Sequence, residues 1–340
     1  MDALKFSALL LTLIAAPLAS AQSRDLQIFW IDVEGGGSTL LVTPSGQSLL
    51  VDSGNPGQDD RDAKRVFEAT KLAGIKQIDN VVITHYHGDH VGGLPALAKL
   101  IPIAKYYDHG DSIESQTPAG GPLWSAYKTV VEGKRNILKP GDKIPLKGLD
   151  ITVLSANGEV IEKPLKGGGP NSFCQDAQQK PADATENGRS VGMLITYGKF
   201  KFLDLGDLTW DREMMLACPV NKIGTVTLFQ ATHHGFVNGL SGAPPLVWAI
   251  KPQVVVVNNG ARKGLAANAY ETIAKIQGIE GIWQIHRSVA TDAAHNTPAQ
   301  MIANIDEASD GHWIKAVVTK DGKFTLTNGR GDFSKTYTAR

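Results

Sequence analysis

The stretch Thr84-His85-Tyr86-His87-Gly88-Asp89-His90-Val91-Gly92-Gly93 constrains this chain more than any other. It sets three imidazoles and one carboxylate within six residues, directly after the apolar run Asn80-Val81-Val82-Ile83. That run is short, β-branched and bounded by polar residues, so it reads as a buried strand. His85 and His87 are two apart and project to one side while the backbone stays extended. Once the chain turns through Gly88, Asp89 and His90 close around the same point. Neutral imidazole and carboxylate are ligands that zinc, iron and manganese accept. Any fold for this chain has to aim a strand tip at a cation, with a Gly-Gly helix start behind it.

The rest of the chain follows the same plan. Leu26 to Ile31, Thr39 to Thr43 and Ser48 to Val51 read as strands, the last two joined by the turn Pro44-Ser45-Gly46-Gln47. The third strand ends at Asp52, a carboxylate at a strand tip. Asp60 to Ala73 reads as an amphipathic helix closed by Gly74, and a second helix starts at Gly93. Val191 to Tyr197 and Phe200 to Leu205 form a hairpin that delivers Asp207. Thr225 to Phe229 is a strand leading to Thr232-His233-His234-Gly235. Helices over 212–217, 246–250 and 269–277 alternate with strands over 253–257 and 281–285, before a last hairpin, 314–318 with 323–326. Polar residues collected at strand ends are how α/β sheets hold ligands. Two echoing halves of this kind predict an α/β fold, a four-layer αββα sandwich, in one domain over residues 22–340. Asn157 to Asn187 has little periodicity and is too long for an ordinary connection, so a loop near the site or a lid is expected there.

Residues 1–21 read as a signal peptide. Lys5 precedes the apolar run Phe6 to Leu18, and Ala19-Ser20-Ala21 has the small-x-small pattern of a cleavage site. The run falls short of the about 20 apolar residues a membrane span needs. The expectation is a periplasmic or secreted protein without a membrane anchor after signal removal. The formal net charge is zero, which excludes the strong basic footprint of a dedicated duplex-nucleic-acid binder. An oxidising compartment permits a disulfide between Cys174 and Cys218, the two cysteines of the chain, but the preferred reading is an unbridged buried pair.

The histidine stretch together with strand-tip Asp52, Asp207 and His233 resembles the metallo-β-lactamase-fold hydrolase superfamily, over about residues 26–326. Within it, the chain is most similar to the hydrolase domain of ComEC-type competence proteins. Four segments carry that finer likeness: Asp32-Val33-x-x-Gly-Gly-Ser38-Thr39, Asn187-x-x-Ser190, Leu205-Gly206-Asp207 and Ala231-Thr232-His233-His234-Gly235. The resemblance implies His85, His87 and His90 as metal ligands, Asp89 as a ligand of a second metal or an acid/base group, Asp207 as a bridging ligand, and His233 as a late ligand. His234 could exchange roles with His233. Asp52 would orient a ligand from behind, and Asn187 and Ser190 would line the site. Three departures stand out. Between residues 91 and 206 the one histidine is His109, read as a surface-loop residue, so a nitrogen is missing from the first site. The competence pattern also has an aspartate where Gly37 stands and histidines where Leu265 to Asn268 stand. His286, His295 and His312 lack partner spacing and read as surface or structural.

The functional expectation is an exported metallo-hydrolase using one or two zinc ions, with manganese or iron as alternatives. Such a metal lowers the pKa of bound water to about 7, and Asp89 would pass a proton to the leaving group. The substrate is expected to be a small molecule or a phosphodiester, cleaved at a phosphodiester or at a carboxylic ester or lactone bond. A β-lactam hydrolase, an iron-dependent oxidoreductase and a non-catalytic binding module are the alternatives on the same fold.

Overall fold

A computed structural model describes residues 25–175 and 177–340. The signal-peptide reading of residues 1–21 lies outside the described residues. Strand Leu26–Trp30 shows why the fold has layers. Leu26, Ile28 and Trp30 face one apolar cluster, while Phe29 faces another. A strand with two apolar faces has to be covered on both.

The first sheet has nine strands, in the order Ser334–Thr338, Lys323–Asn328, Ile314–Val318, Leu26–Trp30, Thr39–Val42, Ser48–Val51, Ile78–Val82, Ile103–Asp108, Arg135–Ile137. Its last four strands run parallel to one another. The second sheet has eight strands. Its parallel half holds Phe200–Asp204, Leu228–Gln230, Val254–Val257, Gly281–His286 and Ile302–Asn304. The central cluster draws on both sheets, with Trp30, Val51 and Val82 meeting Met193, Phe202 and Trp283. Helices Arg61–Ala73, Leu94–Leu100 and Gly120–Val131 cover the outer face of the first sheet. Trp210–Ala217, Pro244–Ala249 and Ala267–Ala274 cover that of the second. The expected αββα sandwich is thus the observed fold.

Polar ties also cross between the sheets. Gln230 accepts hydrogen bonds from the Trp30 indole at 2.9 Å and the Thr39 hydroxyl at 2.8 Å, and donates to buried Asp204 at 3.1 Å. His286 lies 2.8 Å from Asp32, which Arg65 also holds at 2.9 Å. The structural reading of His286 is therefore the apt one.

Three expectations need correction. His109 is buried, not a surface-loop residue; its Nε2 lies 2.9 Å from Oε2 of Glu186. Cys174 and Cys218 form a disulfide with a Cα–Cα distance of 5.7 Å, so the unbridged pair is overturned. Residues 157–187 are not a bare loop. Glu159–Val160 pairs with Asp150–Ala156, Gly169–Pro170 pairs with Val220–Asn221, and 3-10 turns occupy Ser172–Cys174 and Glu186–Arg189. Helix Gly120–Val131 was not anticipated, because Gly120-Gly121-Pro122 at its start reads as a loop.

Two predictions follow from this framework. The bridge closes a separation of 44 residues, so replacing both cysteines by serine lowers the unfolding free energy by about 2–4 kcal/mol, read by urea denaturation. The second concerns Glu213, fully buried on helix Trp210–Ala217 and accepting the Ala243 N–H at 2.8 Å. Burial pushes its carboxyl up to about 7, against the opposing Ala243 hydrogen bond. The folded state then keeps a proton that the unfolded chain releases above its ordinary value of 4.5. Stability therefore falls as pH rises from about 4.5 to 7. Glu213→Gln flattens that fall by up to about 3 kcal/mol, measured as urea midpoints across the same pH range.

Candidate metal centre

Four strand ends build the site. Ser48–Val51 and Ile78–Val82 are parallel neighbours in the first sheet, so Asp52 and residues 84–90 leave side by side. The Asp52 N–H bonds to the Val82 carbonyl at 2.9 Å. In the second sheet Phe200–Asp204 and Leu228–Gln230 are parallel neighbours, and they deliver Asp207 and His233–His234. All these side chains meet at the carboxyl ends of parallel strands, where an α/β sheet leaves its crevice.

Asp52 sits at φ 61°, a conformation that costs of order 1–3 kcal/mol for a residue with a Cβ. In return its carboxylate accepts the Thr84 N–H at 2.8 Å and the Thr84 hydroxyl at 2.7 Å, and lies 2.7 Å from Nδ1 of His90. With Nδ1 held there, Nε2 of His90 points the other way, into the site. A Cβ on Gly37 would lie 2.7 Å from Nδ1 of His90 and 2.9 Å from Asp52. Only glycine fits against this pair, which is why the aspartate of the competence pattern has no place here.

Nε2 of His90 stands 3.4 Å from Asp89, 3.3 Å from Asp207 and 3.2 Å from Nε2 of His234. Oδ2 of Asp207 in turn lies 3.3 Å from Nε2 of His233 and 3.2 Å from that of His234. His233 and His234 reach it together because both adopt left-handed backbone, φ 53° and 55°. Ligand atoms of Asp89, His90, Asp207 and His234 all lie within 4.8 Å of one another. His233 touches Asp207 but stands outside that group of four. His85 is fully buried, with Nε2 at 3.9 Å from Asp207 and Nδ1 at 3.1 Å from the Thr84 hydroxyl. His87 lies further toward solvent, its Nε2 3.4 Å from Glu114. Ser190 accepts the Asp207 N–H at 3.3 Å and lies 3.5 Å from Nδ1 of His85. Asn187 is buried in the adjoining turn, with no hydrogen-bond partner at its Oδ1 among the described residues.

Electrostatics follow from this crowding. Burial opposes charge on His90, but Asp207, Asp89 and Asp52 outweigh it and hold its pKa well above the ordinary imidazole value. Burial also opposes charge on Asp207, yet His234, His90 and His233 keep it well below the usual carboxylate range. Asp89 is lowered in the same way, with His90 and His234 overcoming burial. His85 is pushed well below its usual value by burial, then by the neighbouring His90. The residues suit a divalent cation: Nε2 of His85 is buried without a hydrogen-bond partner among the described residues, and carboxylates face imidazole nitrogens at near-ligand spacing.

Sequence reasoning missed three participants. Lys263 is ion-paired with Asp89 from a loop that carries no motif. Glu114 approaches His87, and Glu186 gathers His109, the Ser112 hydroxyl and the Ile113 N–H. A carboxylate isolated in a loop gives no spacing signal by which to find it. A second polar group, Asp32, Glu34 and His286, also has ligand-like spacing, but Arg65 and Ser309 already occupy Asp32.

Residues 32–178 match the family model of the Metallo-beta-lactamase superfamily. It is 32% identical over 108 residues to an atrochrysone carboxyl ACP thioesterase of Cryptosporiopsis, covering 31% of this chain and 32% of the relative. It is 24% identical over 240 residues to the competence protein ComA of Neisseria gonorrhoeae, covering 70% of this chain and 27% of the relative. The competence-type likeness read from the sequence thus has a counterpart among its relatives. These matches span only about a third or less of the relatives' own length. Among solved structures, the metallo-beta-lactamase fold protein YhfI of Bacillus subtilis superposes with a TM-score of 0.48 and 12% identity, covering 86% of this chain and 99% of that one.

Asp52→Asn keeps a side chain of the same size but weakens the grip on Nδ1 of His90. It lowers divalent-metal affinity by roughly 10- to 100-fold, measured by competition with a chromophoric chelator.

Proposed function

We propose that the chain is an exported metallo-hydrolase that cleaves a phosphodiester or carboxylic ester bond, with zinc as its metal. One observation carries this reading: Asp89, His90, Asp207 and His234, from two different sheets, present ligand atoms within 4.8 Å of one another. No packing need explains why the interior should collect two carboxylates and two imidazoles there, since such burial is costly without a shared charge. A divalent ion held by this group supplies an acidified water and polarises a carbonyl or phosphoryl oxygen.

The protein's own residues do the rest. Asp52 fixes the tautomer of His90 by accepting a hydrogen bond from Nδ1–H, so Nε2 is free to bind. Oδ2 of Asp89, flanked by His234 at 3.2 Å and His90 at 3.4 Å, is placed to accept a proton from water and return it to the leaving group. Lys263 beside it offers a cation to negative charge that builds up during attack. The ester side of the proposal is supported by the thioesterase named among the relatives. The phosphodiester side is supported by the four segments shared with the competence pattern. Export is supported by the leader-like composition of residues 1–21 and by the Cys174–Cys218 bridge, which persists in oxidising compartments.

A chromogenic panel tests the reading on zinc-loaded protein. Turnover is expected with bis-(p-nitrophenyl) phosphate or an aryl ester, and is lost in His90→Ala and Asp207→Asn. Cleavage of nitrocefin with neither of the other two substrates would overturn it.

A further inference from the structure

We propose that the end of the second sheet opposite the metal centre holds a binding site for a phosphate group, carried by a soluble small molecule or by a lipid headgroup. The inference is independent of the hydrolase reading, because it uses none of the residues of the metal centre.

A cavity of about 540 Å³ opens there, within the size range of small-molecule sites. Its wall holds Lys199, Lys201, Lys251 and Arg340, with Thr225 and Gln277 between them. Lys201 lies near the start of strand Phe200–Asp204, Thr225 comes shortly before Leu228–Gln230, and Lys251 shortly before Val254–Val257. Those strands are parallel, and Asp207, His233 and His234 leave from their other ends.

The four cations gather although the chain as a whole has a formal net charge of zero. Among the described residues, one carboxylate pairs with any of the four, and that is Glu280 on Arg340. Asp321, on the turn packed beside Lys199, is bonded to the Thr319 hydroxyl instead. Like charges held together repel, and a bound anion removes that repulsion. Lysine ammonium groups meet phosphate as compact point charges with three donors each.

The main chain fixes each cation. Gly198, before Lys199, is pressed on the next hairpin, so that a Cβ there would lie 2.0 Å from the Lys320 carbonyl oxygen. Lys201 donates its N–H to the Thr227 hydroxyl at 3.1 Å and accepts the Thr227 N–H at 2.9 Å. Arg340 lies against Gly278, where a Cβ would stand 2.6 Å from its guanidinium, and donates to the Gly278 carbonyl at 2.7 Å. Lys251 is the most telling of the four. It follows helix Pro244–Ala249 and its cap Ile250, and adopts left-handed backbone, φ 43°. Glycine takes that conformation freely just past a helix end, whereas a residue with a Cβ is strained in it. The chain therefore keeps an ammonium where the backbone favours glycine.

The competing explanation is an ordinary solvated face of lysines. Equilibrium dialysis of the full zinc-loaded protein against labelled inorganic phosphate separates the two. Wild type is compared with Lys251→Gly, with Lys201→Gln, and with Lys128→Gln, which removes the same charge from exposed helix surface elsewhere. Phosphate taken up by the metal itself is common to all these proteins and cancels. The expected result is saturable binding that weakens at least about fivefold in both cavity variants and is unchanged in the Lys128 variant. Lys251→Gly is expected to melt no lower than wild type, so its lost binding is not lost folding. Smaller losses, an equal loss in the Lys128 variant, or no saturable binding by wild type overturns the proposal. Phosphatidylglycerol vesicles identify the source. Co-sedimentation abolished in the same cavity variants assigns a lipid headgroup, and phosphate binding without co-sedimentation assigns a soluble phosphate ester.

Discussion

Negative charge buried among imidazoles is the condition on which this architecture turns. Oδ2 of Asp207 has the Nε2 atoms of His90, His233 and His234 within 3.3 Å. Asp89 adds a second carboxylate to the same space. These carboxylates hold the pKa of His90 well above the ordinary imidazole value, against the burial that opposes its charge. Lys263 neutralises part of Asp89 from the other side. An apolar core of the same volume would be cheaper to bury, so the cost argues for a site kept for what it binds.

The scaffold meets that condition by using strand ends. Neither sheet alone could gather the set, because the first supplies Asp52, His85, Asp89 and His90, and the second supplies Asp207, His233 and His234. Their alignment depends on the shared central core and on Gln230, which joins Trp30 and Thr39 of one sheet to Asp204 of the other. Left-handed backbone at Asp52, His233 and His234 is stored where function asks for it. Rigid strands beneath hold that strain in place.

Much of this was legible in the amino-acid order, for identifiable reasons. Strands such as Leu26–Trp30 and Val254–Val257 announce themselves by β-branched and apolar runs, and the His-x-His-x-Asp-His spacing marks its own chemistry. Asp52 and Asp207 could be read because each lies within three residues of a strand's end. What stayed hidden depends on three-dimensional proximity. Ser334–Thr338 has a single inward apolar residue, Tyr337, and so lacks the signal of a strand. His109 looked like a loop residue because its partner, Glu186, lies 77 positions away. Lys263 and Glu114 belong to irregular segments, where neither periodicity nor motif distinguishes a working side chain from a solvated one.

The contact between His90 and His234 closes a sequence separation of 144 residues. Such a contact forms only after both halves of the chain have been made and have docked, since long-range pairing waits on loop closure. Capture of an ion here is thus a late event in the life of the chain, a timestamp on finished assembly. A chain would gain those four ligands, Asp89, His90, Asp207 and His234, together only once both halves had docked, and a truncated or misdocked copy would be left without that seal.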